Sequence, residues 1–353
     1  MAGAIMTRQL QRMLLIMAAL GLLGSQFATA ADEVVLRSTG ESVKGTIANI
    51  TKTGLEVEQT GKTVKVPVTD IAEIRWDGEP PELNITRIRE QNGDYAEALK
   101  SYQSLIGGID AAKANLKTGV QFLIARTLAQ QAMTDPAKKD AAVKALNDFI
   151  TGNANSIRYY DAIQWLGKVQ LAAGEFGPAT VTYQRLAGAE VPELKMAGQN
   201  ALGRVKLKQE DFAGALAEFE KVLKAGGGGP AALRQQFAAE LGKALVLQQQ
   251  GDHEGALKTL NDVIAKASAD DAQVQAEAFV RKGTSLQALG KTQEALLAFL
   301  HVDILFAGQP EPHAESLFHL TKLWETVGKA ERSAQARRKL TTDYPASTWA
   351  KQL

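Results

Sequence analysis

A chain of 353 residues with 45% hydrophobic side chains could form two or three domains or one elongated array, and it is too apolar for global disorder. The formal net charge is +1 with no long block of one sign, so non-specific nucleic-acid binding has no electrostatic basis. The absence of cysteine excludes disulfides, thiolate zinc sites, a cysteine nucleophile and a lipid-modified N-terminal cysteine.

The first 30 residues read as a secretory signal. Arg8 and Arg12 precede an apolar run from Met13 to Gly24, and the segment closes on Ala28-Thr29-Ala30. At about 1.5 Å per residue that run is too short to span a bilayer comfortably. Cleavage is expected after Ala30, giving a periplasmic or secreted protein with no stable membrane insertion. Loss of Arg8 and Arg12 brings the formal charge to −1.

Residues 32–79 follow a period of two. Strands are expected at Glu33–Arg37, Ser42–Ile50, Leu55–Gln59, Thr63–Val66 and Ile71–Trp76, with turn residues at Gly40, Gly54, Gly61 and Pro67 between them. Five short strands predict a small curled sheet or barrel, and its pattern resembles SH3-like and Sm-like barrels. A core this small is expected to lean on the helices C-terminal to it, with Trp76 at the join. Sm-like folds suggest RNA, but this region carries six basic against nine acidic residues, which opposes a phosphate backbone.

Beyond Gly78-Glu-Pro-Pro81 the pattern becomes helical and repetitive. One phrase recurs: Gly-acid-aromatic, two residues, Ala-Leu, two residues, an aromatic. It is seen in Gly93-Asp-Tyr-Ala-Glu-Ala98 to Tyr102, Gly174-Glu-Phe to Tyr183, and Glu210-Asp-Phe to Phe219. Weaker copies begin at Gly251, Gly290 and Gly328. From Gly174 onward the spacings are 36, 41, 39 and 38 residues, and the 81 residues between Gly93 and Gly174 leave room for a degenerate copy near Asp140–Ile150. Upstream of the phrase, Leu166-Gly167, Leu202-Gly203 and Lys282-Gly283 mark a first helix. The last unit runs from Leu317 through Trp324 and Gly328 to Pro345. This pattern resembles the tetratricopeptide repeat, a helix–turn–helix unit of 34 residues.

That resemblance implies a mainly α fold: an α-solenoid of about seven helix–turn–helix repeats over residues 80–353, preceded by a small all-β barrel-like domain at 32–79 and a signal peptide at 1–30. It also implies close helix approach at the small residues and aromatic filling toward the next repeat. The acid after each turn glycine is placed to cap the second helix. The fifth repeat reads as having two extra residues between Leu241 and Gly251. Gly226–Gly229 must be a loop, since each glycine costs about 1 kcal/mol in a helix, and it is also a candidate hinge.

Little in the sequence suggests chemistry. His313 and His319 are six apart, which is wrong for a metal pair on one helix face, and no phosphate-binding, dinucleotide or nucleophile-elbow motif occurs. No catalytic, cofactor or metal site is predicted. Arg337-Arg338-Lys339 reads as the polar outer face of a terminal helix. Helix register along the repeats predicts a concave groove lined by Gln164, Lys168 and Leu171, by Asn200, Arg204 and Leu207, by Val280, Thr284 and Gln287, and by Phe318, Lys322 and Glu325. The resemblance then implies a scaffold that docks a partner protein or peptide, such as envelope-assembly or division machinery. The alternatives are a self-associating structural component of the envelope and a binder of peptidoglycan or another envelope polysaccharide.

Overall fold

The computed structural model describes residues 31–353, and the expected signal segment lies outside them. Five strands come first: β1 (Asp32–Leu36), β2 (Ser42–Thr51), β3 (Gly54–Gln59), β4 (Lys62–Pro67) and β5 (Ile71–Arg75). Consecutive strands are joined by tight turns, and a single 3-10 turn at Val68–Asp70 carries the chain from β4 to β5. The antiparallel order is β4-β3-β2-β1-β5, so β1 sits between β2 and β5 while β4 and β5 form the two edges. Register shifts at Ile47/Asn49 and Val35/Leu36 curl the sheet, but β4 and β5 do not pair to close it. Val34, Leu55, Val57, Val66, Ile71 and Ile74 form its apolar face, and Ile157 from the helical region completes that cluster.

Fourteen α-helices come after the turn at Gly78. In pairs they are α1 (Pro81–Gln91) with α2 (Tyr95–Gly107), α3 (Ala114–Thr134) with α4 (Lys139–Gly152), and α5 (Tyr159–Ala172) with α6 (Phe176–Ala187). Next come α7 (Pro192–Lys208) with α8 (Phe212–Ala225) and α9 (Pro230–Gln249) with α10 (His253–Lys266). The last pairs are α11 (Ala272–Ala288) with α12 (Thr292–Leu305) and α13 (Pro310–Thr326) with α14 (Ala330–Asp343). Every helix packs on the next, and the first helices of neighbouring pairs also touch from α7 through α9 and α11 to α13. Seven hairpins therefore stack as a solenoid whose apolar clusters follow one another along the array.

The turn inside each hairpin explains the recurrent glycine. Gly93, Gly174, Gly251, Gly290 and Gly328 have φ between 72° and 84°, a conformation that suits glycine. Glu210 occupies the same turn at φ 62° and is the one non-glycine residue with positive φ among the described residues. Capping matches the expectation in part. Asp211 and Asp252 accept hydrogen bonds from the amides of Gly214 and Gly255, whereas Asp94 and Glu175 cap nothing, and Glu175 pairs with Lys139 instead.

The small residues of the first helices serve the close approach the sequence implied. A Cβ on Gly167 would lie 2.3 Å from the Tyr183 ring, and one on Gly283 would lie 2.7 Å from the Phe299 ring. Phe219 is gripped from both sides, since a Cβ on Gly203 or Gly242 would come within 2.6 Å or 2.4 Å of it. The fifth repeat corrects the expected insertion. Ala244 stands seven residues before Gly251, as Gly167 stands before Gly174, and it packs with Leu260. The additional length falls earlier, in α9, which has 20 residues where α7, α11 and α13 have 17, and it places Gly242 against the preceding repeat. Gly226–Gly229 is a loop between α8 and α9.

Candidate functional site

The first helices supply the inner face of the coil, and the twelve predicted groove residues divide by their place in the helix. The residue immediately after the small one is the more accessible: Lys168, Arg204 and Lys322 are exposed, and Thr284 is half-buried with its hydroxyl donating to the Val280 carbonyl. The residue three before the small one turns toward the neighbouring repeat instead. Val280 is fully buried and Phe318 lies in the terminal core against Trp349, so neither lines a groove. Asn200 is buried and donates through Nδ2 to the Gln235 carbonyl and Oε1, bracing α7 to α9. Gln164 is half-buried. In the third set Leu171 and Leu207 are half-buried, Glu325 is exposed, and Gln287 Oε1 lies 2.8 Å from His319 Nδ1 on the next first helix.

Lys168, Arg204 and Lys322 have no ion-pair partner among the described residues. The Lys168 ammonium lies 4.7 Å from the Trp165 ring centre and the Lys322 ammonium 4.1 Å from that of Phe318. Protein surrounds Lys168 closely enough that desolvation lowers its pKa, and the charge of Arg204 pushes it in the same direction. Glu311 on α13 and Asp161 on α5 act on Lys168 with opposite sign. Two neighbouring cations thus stand on adjacent first helices with no direct ion pair among the described residues.

A second concavity lies where the sheet meets the first repeats. Its walls are Glu73, Ile74 and Trp76 from β5 and its exit, Leu83 and Arg87 from α1, α3 from Asn115 to Arg126, and the α4–α5 connection from Gly152 to Arg158, around a cavity of about 570 Å³. Trp76 packs against both the sheet core and the α1–α3 core, as its place at the join implied. Ion pairs hold the walls. Arg87 donates to both carboxylate oxygens of Glu79 and to the Ile74 carbonyl. Buried Glu90 accepts two hydrogen bonds at 2.7 Å from Arg126 and one from the Tyr102 hydroxyl. Farther out, Lys113 donates to the Gly78 carbonyl and Lys52 pairs with Glu190. No sequence signal announces this assembly, because its members come from distant segments with no shared spacing.

Exposed apolar side chains occur at several points of the described residues, among them Val181 on α6 at the position of Leu297, and α12 carries three together. On α12, Leu297, Ile304 and Leu305 are 68%, 71% and 60% exposed. The corresponding positions are Lys258, Ala265 and Lys266 on α10 and Gln335, Thr342 and Asp343 on α14. Elsewhere the histidines serve packing. His313 is buried with Nε2 2.8 Å from Asp303 and Nδ1 2.7 Å from the Tyr344 hydroxyl, and His319 stacks on Phe299. Lys339 reaches Asp303, Arg337 reaches Glu325 and the Leu353 carbonyl, and Arg338 is exposed. Among the described residues no group of three metal-ligating side chains is positioned around a common point.

Neither a protein-family model nor a curated protein sequence matches the chain. Solved structures do. One is a tetratricopeptide repeat protein from Parabacteroides merdae, 17% identical, with a TM-score of 0.50 over 76% of this chain and 96% of that one. Another is a Rap protein complexed with competence and sporulation factor, 17% identical, with a TM-score of 0.48 over 77% of each chain. A third, the type IV pilus biogenesis factor PilW, is 16% identical with a TM-score of 0.42, over 65% of this chain and 96% of that one. The first of these likenesses establishes the architecture: the helical region has the tetratricopeptide-repeat fold.

Proposed function

We propose that the protein is a non-catalytic binding scaffold that holds a segment of a partner protein along the inner face of its coil. The observation that carries this reading is the pair Lys168 and Arg204, exposed at the same position of the adjacent first helices α5 and α7 and without an ion-pair partner among the described residues, with Lys322 exposed at that position of α13. Like charges left facing an open bore are unfavourable in the free protein and are relieved by a ligand that brings acidic or acceptor groups. A curved wall of helices suits an extended strand or a helix of a partner. We place the protein outside the cytoplasm because of Arg8, Arg12, the apolar run and Ala28-Thr29-Ala30, with envelope-assembly or division machinery as the partner class. Crosslinking and affinity purification from envelope fractions tests this. Partners captured by the native chain and lost from the Lys168→Glu, Arg204→Glu, Lys322→Glu variant support it; partners retained by the variant refute the inner face as the working surface.

A second reading, self-association, draws on the outer apolar face of α12. An Ile304→Lys, Leu305→Lys variant compared with the native chain by sedimentation tests it. An oligomer that the substitutions dissociate supports this reading, and a native monomer removes it.

A further inference from the structure

Protein interiors close up to crystal-like density, yet the seam between sheet and solenoid keeps a space of about 570 Å³ while its walls are fixed by ion pairs and by Ile157 inserted into the sheet core. The lining has a definite chemistry. The guanidinium carbons of Arg126 and Arg158 lie 5.7 and 5.8 Å from the centre of the Phe122 ring, and Asp161, which pairs with Arg158, also acts on Arg126. Each has one acid behind it, Glu90 for Arg126 and Asp161 for Arg158, and neither acid belongs to the lining. Arg126 engages Glu90 through Nε and Nη2, and Arg158 engages Asp161 through Nη1. Nη1 of the first and Nη2 of the second make no hydrogen bond among the described residues. The side chains of Asn115, Thr118 and Asn155 border the space and likewise have no hydrogen-bond partner there. Glu73 is the sole acid in the lining.

We propose that this seam is a second ligand site, which takes a short peptide segment through a carboxylate held by Arg126 and Arg158, with Asn115, Thr118 and Asn155 hydrogen-bonding its backbone. Two guanidiniums with free donors in a partly desolvated cleft match a carboxylate, and such charge-assisted bonds are the strong ones. The volume falls within the usual range for ligand pockets, roughly 300–1,000 Å³. Trp76 and Phe122 supply apolar contact on either side. The carboxylate is either a chain end or an aspartate or glutamate side chain, and the ligand bridges the sheet and repeats one to three. This site is separate from the inner-face surface and stands without it.

The test is equilibrium dialysis of the full chain against three pools of random tetrapeptides, with retained members read by mass spectrometry. One pool lacks Asp and Glu and has free C-termini, one lacks them and is amidated, and one contains Asp and Glu and is amidated. Retention of the first pool over the second assigns a chain end, and retention of the third over the second assigns an acidic side chain. Either result supports the site. Equal retention of all three overturns the carboxylate, and retention of none overturns the site. Arg158→Gln should weaken retention by roughly tenfold or more, the loss of one charge-assisted hydrogen bond. Gly119→Leu separates binding from folding. A Cβ there meets only Trp76 Nε1, at an ordinary 3.6 Å, and the rest of the side chain fills the cavity. That variant should melt no lower than the native chain and retain no peptide; undiminished retention would place the peptide elsewhere. The Lys168→Glu, Arg204→Glu, Lys322→Glu variant should retain the pools as the native chain does, so failure of one site is distinguishable from failure of the other.

Discussion

Phe219 and Trp76 both stand where two structural units meet, and their surroundings differ. Phe219 is fully buried, with Gly203 on its own hairpin and Gly242 on the next giving way to its ring. Trp76 borders an open space whose walls are held apart by Arg87, Glu79, Glu90 and Arg126. At Phe219 the junction therefore rests on apolar contact and small-residue complementarity, while at the seam charged pairs stand beside the apolar contacts of Trp76 and Ile157. Contact of the first kind leaves no room for a ligand. Charged struts fix geometry without filling volume, and that is what a binding cleft requires.

The contrast is broken most severely at its apolar end. Phe219→Ala should cost about 3–5 kcal/mol in urea denaturation, because the facing glycines cannot close the hole. A cost below about 1 kcal/mol would mean that the ring is not the strut between repeats four and five. At the seam, Glu90→Ala should cost about 2–3 kcal/mol, below the range for a fully buried pair because Arg126 keeps some access to water. Hydrogen exchange should report that loss in α1 to α3 and spare α11 to α14; uniform loss would contradict the separation.

Acid tests the packing of the last repeat. Burial, assisted by the charges of Arg281 and Lys322, lowers the His319 pKa from 6.5 to about 4. Above pH 6.5 the imidazole is neutral in both folded and unfolded chains, so its packing is fully effective. As pH falls from 6.5 toward 4 the unfolded chain takes up a proton that the folded one refuses, and stability drops by roughly 2 kcal/mol. His319→Gln should flatten that part of the stability profile, and an unchanged slope would refute the assignment. The smallest expected effect is a gain. Glu210 holds a left-handed conformation that glycine adopts at five equivalent turns, so Glu210→Gly should stabilise by about 0.5–1 kcal/mol, read as a rise in melting temperature.

How much of this the sequence disclosed depends on whether a feature repeats. The hairpins were legible because turn glycine, small residue and aromatic recur at fixed offsets, each copy reinforcing the others. The strand positions were legible from alternation and turn residues. What no spacing encodes is how neighbouring units rotate against each other. The offset that leaves Lys168, Arg204 and Lys322 exposed buries Val280, Phe318 and Asn200 three residues before the small position, because that edge of the helix turns into the next repeat. The fifth repeat misled because Leu241-Gly242 imitates the pair Leu202-Gly203 although Ala244 holds the equivalent place. The seam cavity carries no periodic mark at all.

The inner face is tested most directly by a photo-crosslinking amino acid installed in place of Arg204, compared with the same group in place of Ala217, which is exposed on α8. Irradiation of living cells followed by purification should yield a discrete adduct from position 204 and none from position 217. An adduct from 217 alone, or equal adducts from both, would contradict a scaffold that works through the inside of its coil.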